Sequence, residues 1–285
     1  MKSLALYFAA LSFCFSLSPL YAATAPAYDY LPENEVATIT IGEKQSHALV
    51  RSWRGKHQYG AAILFSDFGT NADPSDVITF LRRHLNDKGW ATISLSAPDN
   101  GPQVNHTTDA SEVSKSGEKQ LALKASKSLP KYSEEAWQKL REKQHEQLIQ
   151  TMNQLDALGQ PYPGKRILIA SQKGAGLAIT LLNAGSLPKP DILVIINPYL
   201  DRSEENQKLA QQIAELTIPV LDIQSPDASP EALATLLERK ALAPQNQPLR
   251  YEQQVLALNL DQPSAWQEIL VLVQGFAKRI MKAYP

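Results

Sequence analysis

The stretch Ile167, Leu168, Ile169, Ala170, Ser171, Gln172, Lys173, Gly174, Ala175, Gly176 decides the reading of this chain. Four consecutive apolar residues, too few for a helix, predict a strand covered on both faces, as in a parallel sheet. The small residues that follow predict a tight turn into a helix over 174–184. Strand, abrupt turn and helix in this order are half of an α/β unit, and the rest of the chain supplies the others.

Upstream, 61–65 is another continuous apolar run and predicts a buried strand. The loop 66–73 leads to Asp73, Pro74 and Asp76, a combination that predicts an N-cap at Asp73 and a helix whose apolar stripe is Val77, Phe80, Leu81, His84 and Leu85. Gly89 and Trp90 end that helix, and 91–95 predicts the next strand. The runs 35–41 and 47–53, separated by Gly42, Glu43 and Lys44, predict an opening antiparallel hairpin. The polar stretch 97–131 has no sustained period and is predicted to be an insertion. Ser133 is expected to cap a long helix through Leu155.

Downstream, strands are predicted at 192–196, 220–223 and 250–258 and helices at 203–216 and 230–240. A final helix is expected to open on Ser264 and Gln267 in capping-box spacing, with Trp266, Ile269, Leu270, Val273, Phe276 and Ile280 on its core face. Alternating strands and helices joined by short connections imply one α/β domain over 26–285, with a mostly parallel sheet between helical layers.

Residues 1–25 are expected to be a secretory signal peptide, with cleavage near Ala22 to Ala25. Lys2 supplies the basic start, an apolar run of about 14 residues follows, and small residues close it; a membrane span needs about 20. No later apolar run reaches spanning length, so the mature protein is expected to be periplasmic without an integral membrane segment. The only cysteine is Cys14, inside this leader. The mature chain therefore has no cysteine for disulfides, thiol catalysis or thiolate metal sites.

The 285 residues carry 28 basic and 29 acidic side chains, a formal charge of −1, and 44% are hydrophobic. This is an ordinary globular composition without the electrostatic footprint of a nucleic-acid binder. No His or acidic cluster has metal-ligand spacing, and neither a dinucleotide fingerprint nor a phosphate-loop pattern is met, since Lys173 precedes the glycines. No cofactor or metal is expected.

In an α/β sheet the loops beyond the carboxyl ends of the strands carry the site, here those after Phe65, Leu95, Ala170, Ile196, Ile223 and Leu258. The turn at 170–174 resembles the nucleophile elbow of the α/β-hydrolase family, which reads small, any, nucleophile, any, Gly. The resemblance implies an α/β-hydrolase-like three-layer sandwich. It places Gln172 at the nucleophile position, Ser66, Asp67, Phe68 and Gly69 in the oxyanion loop, and Asp227 near the acidic triad position. Glutamine is no nucleophile, and Ser171 sits one residue early. Asp227 is more readily read as a cap for the helix near Pro230. The family's base is a histidine after the last strand, whereas this chain has histidines only at positions 47, 57, 84, 106 and 145. The chain is also similar to a set of secreted proteobacterial proteins of a domain-of-unknown-function family, through Gly89, Trp90, Ala91, Thr92; Ile195, Ile196, Asn197; and Ile218, Pro219, Val220, Leu221, Asp222.

Loss of a triad member costs on the order of 10^4 to 10^6 in turnover. With nucleophile and base both missing, no catalytic residue is assigned. The expectation is a non-catalytic exported protein binding a small ligand or an envelope protein in a cleft lined by Asp67, Phe68, Ser171, Gln172, Lys173 and Asp227. The alternative is an esterase-like hydrolase with a displaced nucleophile, Ser171 or Ser66, assisted by Lys173, Asp67 or Asp227.

Overall fold

The computed structural model describes residues 28–101, 106–108, 128–130, 133–246 and 251–284. The leader 1–25 lies outside them, as does most of the insertion 97–131. The strands are β1 (Val36–Ile41), β2 (Lys44–Arg51), β3 (Gly60–Phe65), β4 (Trp90–Leu95), β5 (His106–Thr108), β6 (Ser128–Pro130), β7 (Lys165–Ser171), β8 (Ile192–Ile196), β9 (Val220–Gln224) and β10 (Tyr251–Val255). The α-helices are α1 (Val77–His84), α2 (Glu134–Met152), α3 (Leu155–Gly159), α4 (Gln172–Asn183), α5 (Ser203–Asn206), α6 (Leu209–Glu215), α7 (Pro230–Ala234), α8 (Leu236–Asn246) and α9 (Pro263–Ala283).

Eight strands form one sheet in the order β1-β2-β4-β3-β7-β8-β9-β10, parallel except that β2 runs antiparallel to both β1 and β4. Strands β5 and β6 pair with each other within the insertion. Every residue of β3, β4, β8 and β9 is buried; β3 and β8 accordingly read as unbroken apolar runs, whereas the polar Thr92 and Ser94 of β4 and Asp222 and Gln224 of β9 are buried with hydrogen-bond partners. Alternate side chains feed two cores. Ile63, Phe65, Leu168 and Ala170 pack with residues of α2, α4 and α6, whereas Leu64, Ile167 and Ile169 pack with α1 and α9. The register Phe65↔Ala170 and Ser171↔Ile196 ends β3, β7 and β8 level, so the loops that follow them meet at one edge.

Helix boundaries differ from the sequence reading in five places. Asp73 does not cap α1, because its carboxylate is taken by Tyr30, Thr79, Arg82 and Arg83; Asp76 caps instead, accepting from the Ile78 amide at 2.7 Å. Ser264 is not a cap either. The helix starts one residue earlier on Pro263, whose missing N–H suits the first helical position. The long helix from Ser133 ends at Met152, and a separate turn of helix follows at Leu155–Gly159. The segment 203–216 is two helices, with the buried Asn206 turned inward to the Leu200 amide and the Glu231 carbonyl. The segment 230–240 is also divided, since the Arg239 guanidinium takes the Ala232 carbonyl and the Thr235 hydroxyl at the junction.

Candidate functional site at the strand-to-helix elbow

Strand β7 ends on Ser171 and α4 starts at once, leaving Gln172 at the apex with φ 54°. A left-handed backbone costs a non-glycine residue about 1 kcal/mol or more, so packing on both sides must hold it. The small residues permit that packing: a β-carbon on Gly174 would stand 2.2 Å from the Ser66 carbonyl oxygen, and one on Gly176 would stand 2.3 Å from the Tyr199 carbonyl oxygen. The loops after β3 and β8 thus press directly on the elbow.

The backbone amides of Phe68 and Lys173 converge on one point, as the two donors of an oxyanion hole do. That point is already occupied. Asp67 Oδ1 accepts from the Phe68 amide at 2.9 Å and from the Lys173 amide at 3.2 Å. The Lys173 ammonium donates to Asn100 Oδ1 at 3.2 Å and lies 4.0 Å from Asp67 and 3.8 Å from Asp201. It also sits 5.7 Å from the centroid of the Phe68 ring, as does the Arg141 guanidinium.

Burial raises the Asp67 and Asp201 carboxyls above the usual carboxylate range, with the Lys173 charge opposing it. Burial, helped by the charges of Asp67 and Asp201, likewise pushes the Tyr199 phenol far above its ordinary value. A raised carboxyl makes the folded chain bind more protons than the unfolded one between the unfolded pKa of about 3.9 and the higher folded value. The associated stability is present below that window and is lost as pH rises through it. Asp67→Asn keeps the acceptor oxygen and removes this proton linkage. The expected result is that the urea midpoint, compared at about pH 4 and about pH 7, falls less with rising pH in Asp67→Asn than in the parent chain. An unchanged difference would mean that Asp67 is ionised without cost.

Both candidate serines are buried, Ser66 at 1% and Ser171 at 2% exposure. Their hydroxyls lie 3.1 Å apart, and Ser66 donates to the Asp76 carboxylate, which also caps α1. Lys173 Nζ therefore points to Asn100 and the acidic pair, and the hydroxyl of Ser171 points to Ser66. Asp227 is not the cap of α7, a role filled by Ser229. Its carboxylate accepts from Ser225 Oγ at 2.6 Å and from the Leu260 amide at 3.0 Å. Burial works against ionisation there, but these hydrogen bonds hold its carboxyl below the ordinary value. The acid position thus faces a backbone N–H from the loop after β10, where the family places an imidazole.

The structure brings Asp67, Phe68, Gln172 and Lys173 together, and sets Ser171 beneath them and Asp227 at the end of β9. Among the described residues no histidine hydrogen bonds to Ser66, Ser171 or Asp227. His57 and His84 instead stack on Tyr59 and Phe80, and His47 meets Tyr28 edge to face. His145 is half-buried on α2, and that burial lowers its pKa. No three His, Cys, Asp or Glu side chains among the described residues form a metal-binding group. Sequence reasoning missed Asn100, Tyr199 and Asp201. All three lie in loops after Leu95 and Ile196, so inspection of polar residues there was the available signal.

The sheet order, the elbow and the paired amides define a protein of α/β-hydrolase fold. The sequence over residues 21–279 matches the family described as Protein of unknown function (DUF3530), and the chain belongs to that family. Similar solved structures include a dienelactone hydrolase from Anabaena variabilis, with 12% identity and a TM-score of 0.55 over 86% of this chain and 96% of that one. Another is Est1E from Butyrivibrio proteoclasticus, with 8% identity and a TM-score of 0.58 over 87% and 99%. A Pyrococcus furiosus esterase has 14% identity and a TM-score of 0.56 over 86% and 90%. At these identities the likeness is one of fold. No curated protein matches the sequence.

Proposed function

We propose that this protein is a non-catalytic member of the α/β-hydrolase fold, exported to the periplasm, that binds a small ligand or an envelope protein at the elbow instead of turning it over. The observation that carries this reading is the Asp67 carboxylate seated on the amides of Phe68 and Lys173. An oxyanion hole stabilises negative charge that develops during acyl transfer, and a resident carboxylate both fills the space and repels such charge. Gln172 at the apex offers hydrogen bonds but no nucleophile. Export is supported by the leader-like residues 1–25, and no helix among the described residues is long and apolar enough to cross a membrane.

A fluorophosphonate probe read by intact mass tests the chemistry and the processing together. The full chain, expressed in a Gram-negative host and recovered from the periplasm, is expected to weigh less than the translated product by its leader and to carry no probe adduct. A stoichiometric adduct abolished by Ser66→Ala or Ser171→Ala would replace this reading with a displaced-nucleophile hydrolase and name its residue. Retention of residues 1–25 would remove the periplasmic assignment while leaving the chemical one standing.

A further inference from the structure

A pocket lies at the opposite end of the sheet from the elbow. The loop entering β3 and the turn entering β4 are joined there by backbone hydrogen bonds, Arg54 N–H to the Asn86 carbonyl and Tyr59 N–H to the Gly89 carbonyl, each 2.8 Å. With the side of α9 they enclose a cavity of about 240 Å³. Its wall carries Arg54, Lys56, His57, Lys88 and Lys278 against a single acid, Asp87. Arg54 lies 3.8 Å from Asp87, whereas Lys56, Lys88 and Lys278 have no carboxylate partner among the described residues.

Independent of this charge, the same wall contains a buried donor with nothing to donate to. Gln274 lines the cavity, and its Nε2 is shielded from solvent without a hydrogen-bond partner. Asn86, fully buried at the base of the turn, also has its Nδ2 and Oδ1 unpartnered. An unsatisfied buried polar group is costly, so native chains seldom keep one without a ligand or water to meet it. The ammonium groups, and the orphan amide N–H once the Gln274 side chain turns toward the cavity, are all donors. They suit an oxygen-rich, multiply charged anion, for which lysines act as point charges.

We infer that this pocket, formed by the 54–59 loop, the 86–89 turn and α9, is a binding site for a phosphate group, presented either by a free anion or by a lipid headgroup. Because it lies at the amino ends of β3 and β4, it is separate from the elbow, and its occupancy does not depend on the reading given for Gln172. The test uses the mature protein with two probes. One is inorganic phosphate, titrated calorimetrically at low salt; the other is phosphatidylcholine vesicles with and without phosphatidylglycerol, assayed by co-sedimentation.

Lys88→Gln with Lys278→Gln alters exposed side chains and leaves the fold intact, so it is the primary variant. It is expected to weaken binding at least tenfold, and Gln274→Leu to weaken it by about tenfold, the loss of one hydrogen bond to a charged group. Saturable binding of free phosphate, lost in the lysine double variant, supports the site with a soluble anion as its ligand. Binding only to vesicles that contain phosphatidylglycerol, lost in the same variant, supports the site with a lipid headgroup as its source. Absence of binding by either probe, or binding that the double variant leaves unchanged, overturns the inference.

Discussion

Replacing Asp222 with alanine is expected to remove about 4 kcal/mol of folding stability, a large share of the 5–15 kcal/mol that holds an ordinary domain together. Asp222 and Arg239 are both fully buried and meet at 2.8 Å. The same carboxylate oxygen accepts from the Tyr251 hydroxyl at 2.7 Å and from Gln253 at 3.1 Å. Removing it strands a guanidinium in a dry interior, and that uncompensated charge causes most of the loss. The consequence extends further, because Arg239 also donates to Gln224 at 2.7 Å. Gln224 donates to Asn197 at 3.0 Å, Asn197 donates to Ser225 at 2.7 Å, and Ser225 donates to Asp227. This chain of hydrogen bonds holds Asn197 at φ 49° and connects the centre of the β9 face to the acid position of the site. Urea denaturation of Asp222→Ala, Arg239→Met and the double variant checks the claim. The cycle should give a coupling of about 2 kcal/mol, with the double variant less destabilised than the sum of the singles. Additive losses would mean that the pair does not act as a unit.

Residues whose role is set by their neighbours in sequence were legible; residues whose role is set by distant backbone were not. The apolar runs 61–65, 192–196 and 167–170 identify central strands because a strand covered on both faces has no polar side, and the turn at 170–174 stands out because the small Ala170 and Gly174 bracket it at the spacing of a strand-to-helix elbow. Ile195, Ile196, Asn197 and Ile218 to Asp222 were visible as motifs, yet their use was not: Asp222 finds Arg239 on the far side of a connection, and only folding shows that Asn197 joins their network. The Asp73 misreading has the same origin. Locally Asp73 before Pro74 is a sound cap, but Arg82 and Tyr30 compete for its carboxylate from elsewhere in the fold. In the site, the absence of serine at the apex and of a late histidine could be read directly. The seating of Asp67 could not, since the hole it fills is made of two backbone N–H groups that every sequence possesses and only this turn brings together.

Gly174→Ala is the variant that tests whether this turn is held as tightly as its geometry implies. A β-carbon there would lie 2.2 Å from the Ser66 carbonyl oxygen and 3.1 Å from the Phe65 ring. An ordinary carbon-to-oxygen contact is about 3.3 Å, so the backbones must part by about 1 Å. Neither can yield freely, since Ser66 continues β3 from the middle of the sheet and Gly174 lies in the first turn of α4. The expected cost is about 3 kcal/mol, read as a fall in Tm of about 6 °C for a chain of this size. Gly185→Ala is the matched control: its φ is 70° but open space surrounds it, so it should cost only about 1 kcal/mol from backbone conformation alone. The two variants separate close packing from glycine's backbone freedom. The same displacement would draw Asp67, next to Ser66, away from the Lys173 amide and reopen the paired donors. Hydrogen exchange at that amide should therefore accelerate in Gly174→Ala and remain slow in Gly185→Ala. A Gly174→Ala protein that melts within about 1 kcal/mol of the parent, with the Lys173 amide still protected, would show that the loop after β3 shifts without effort and that the seat of Asp67 is not fixed by the elbow.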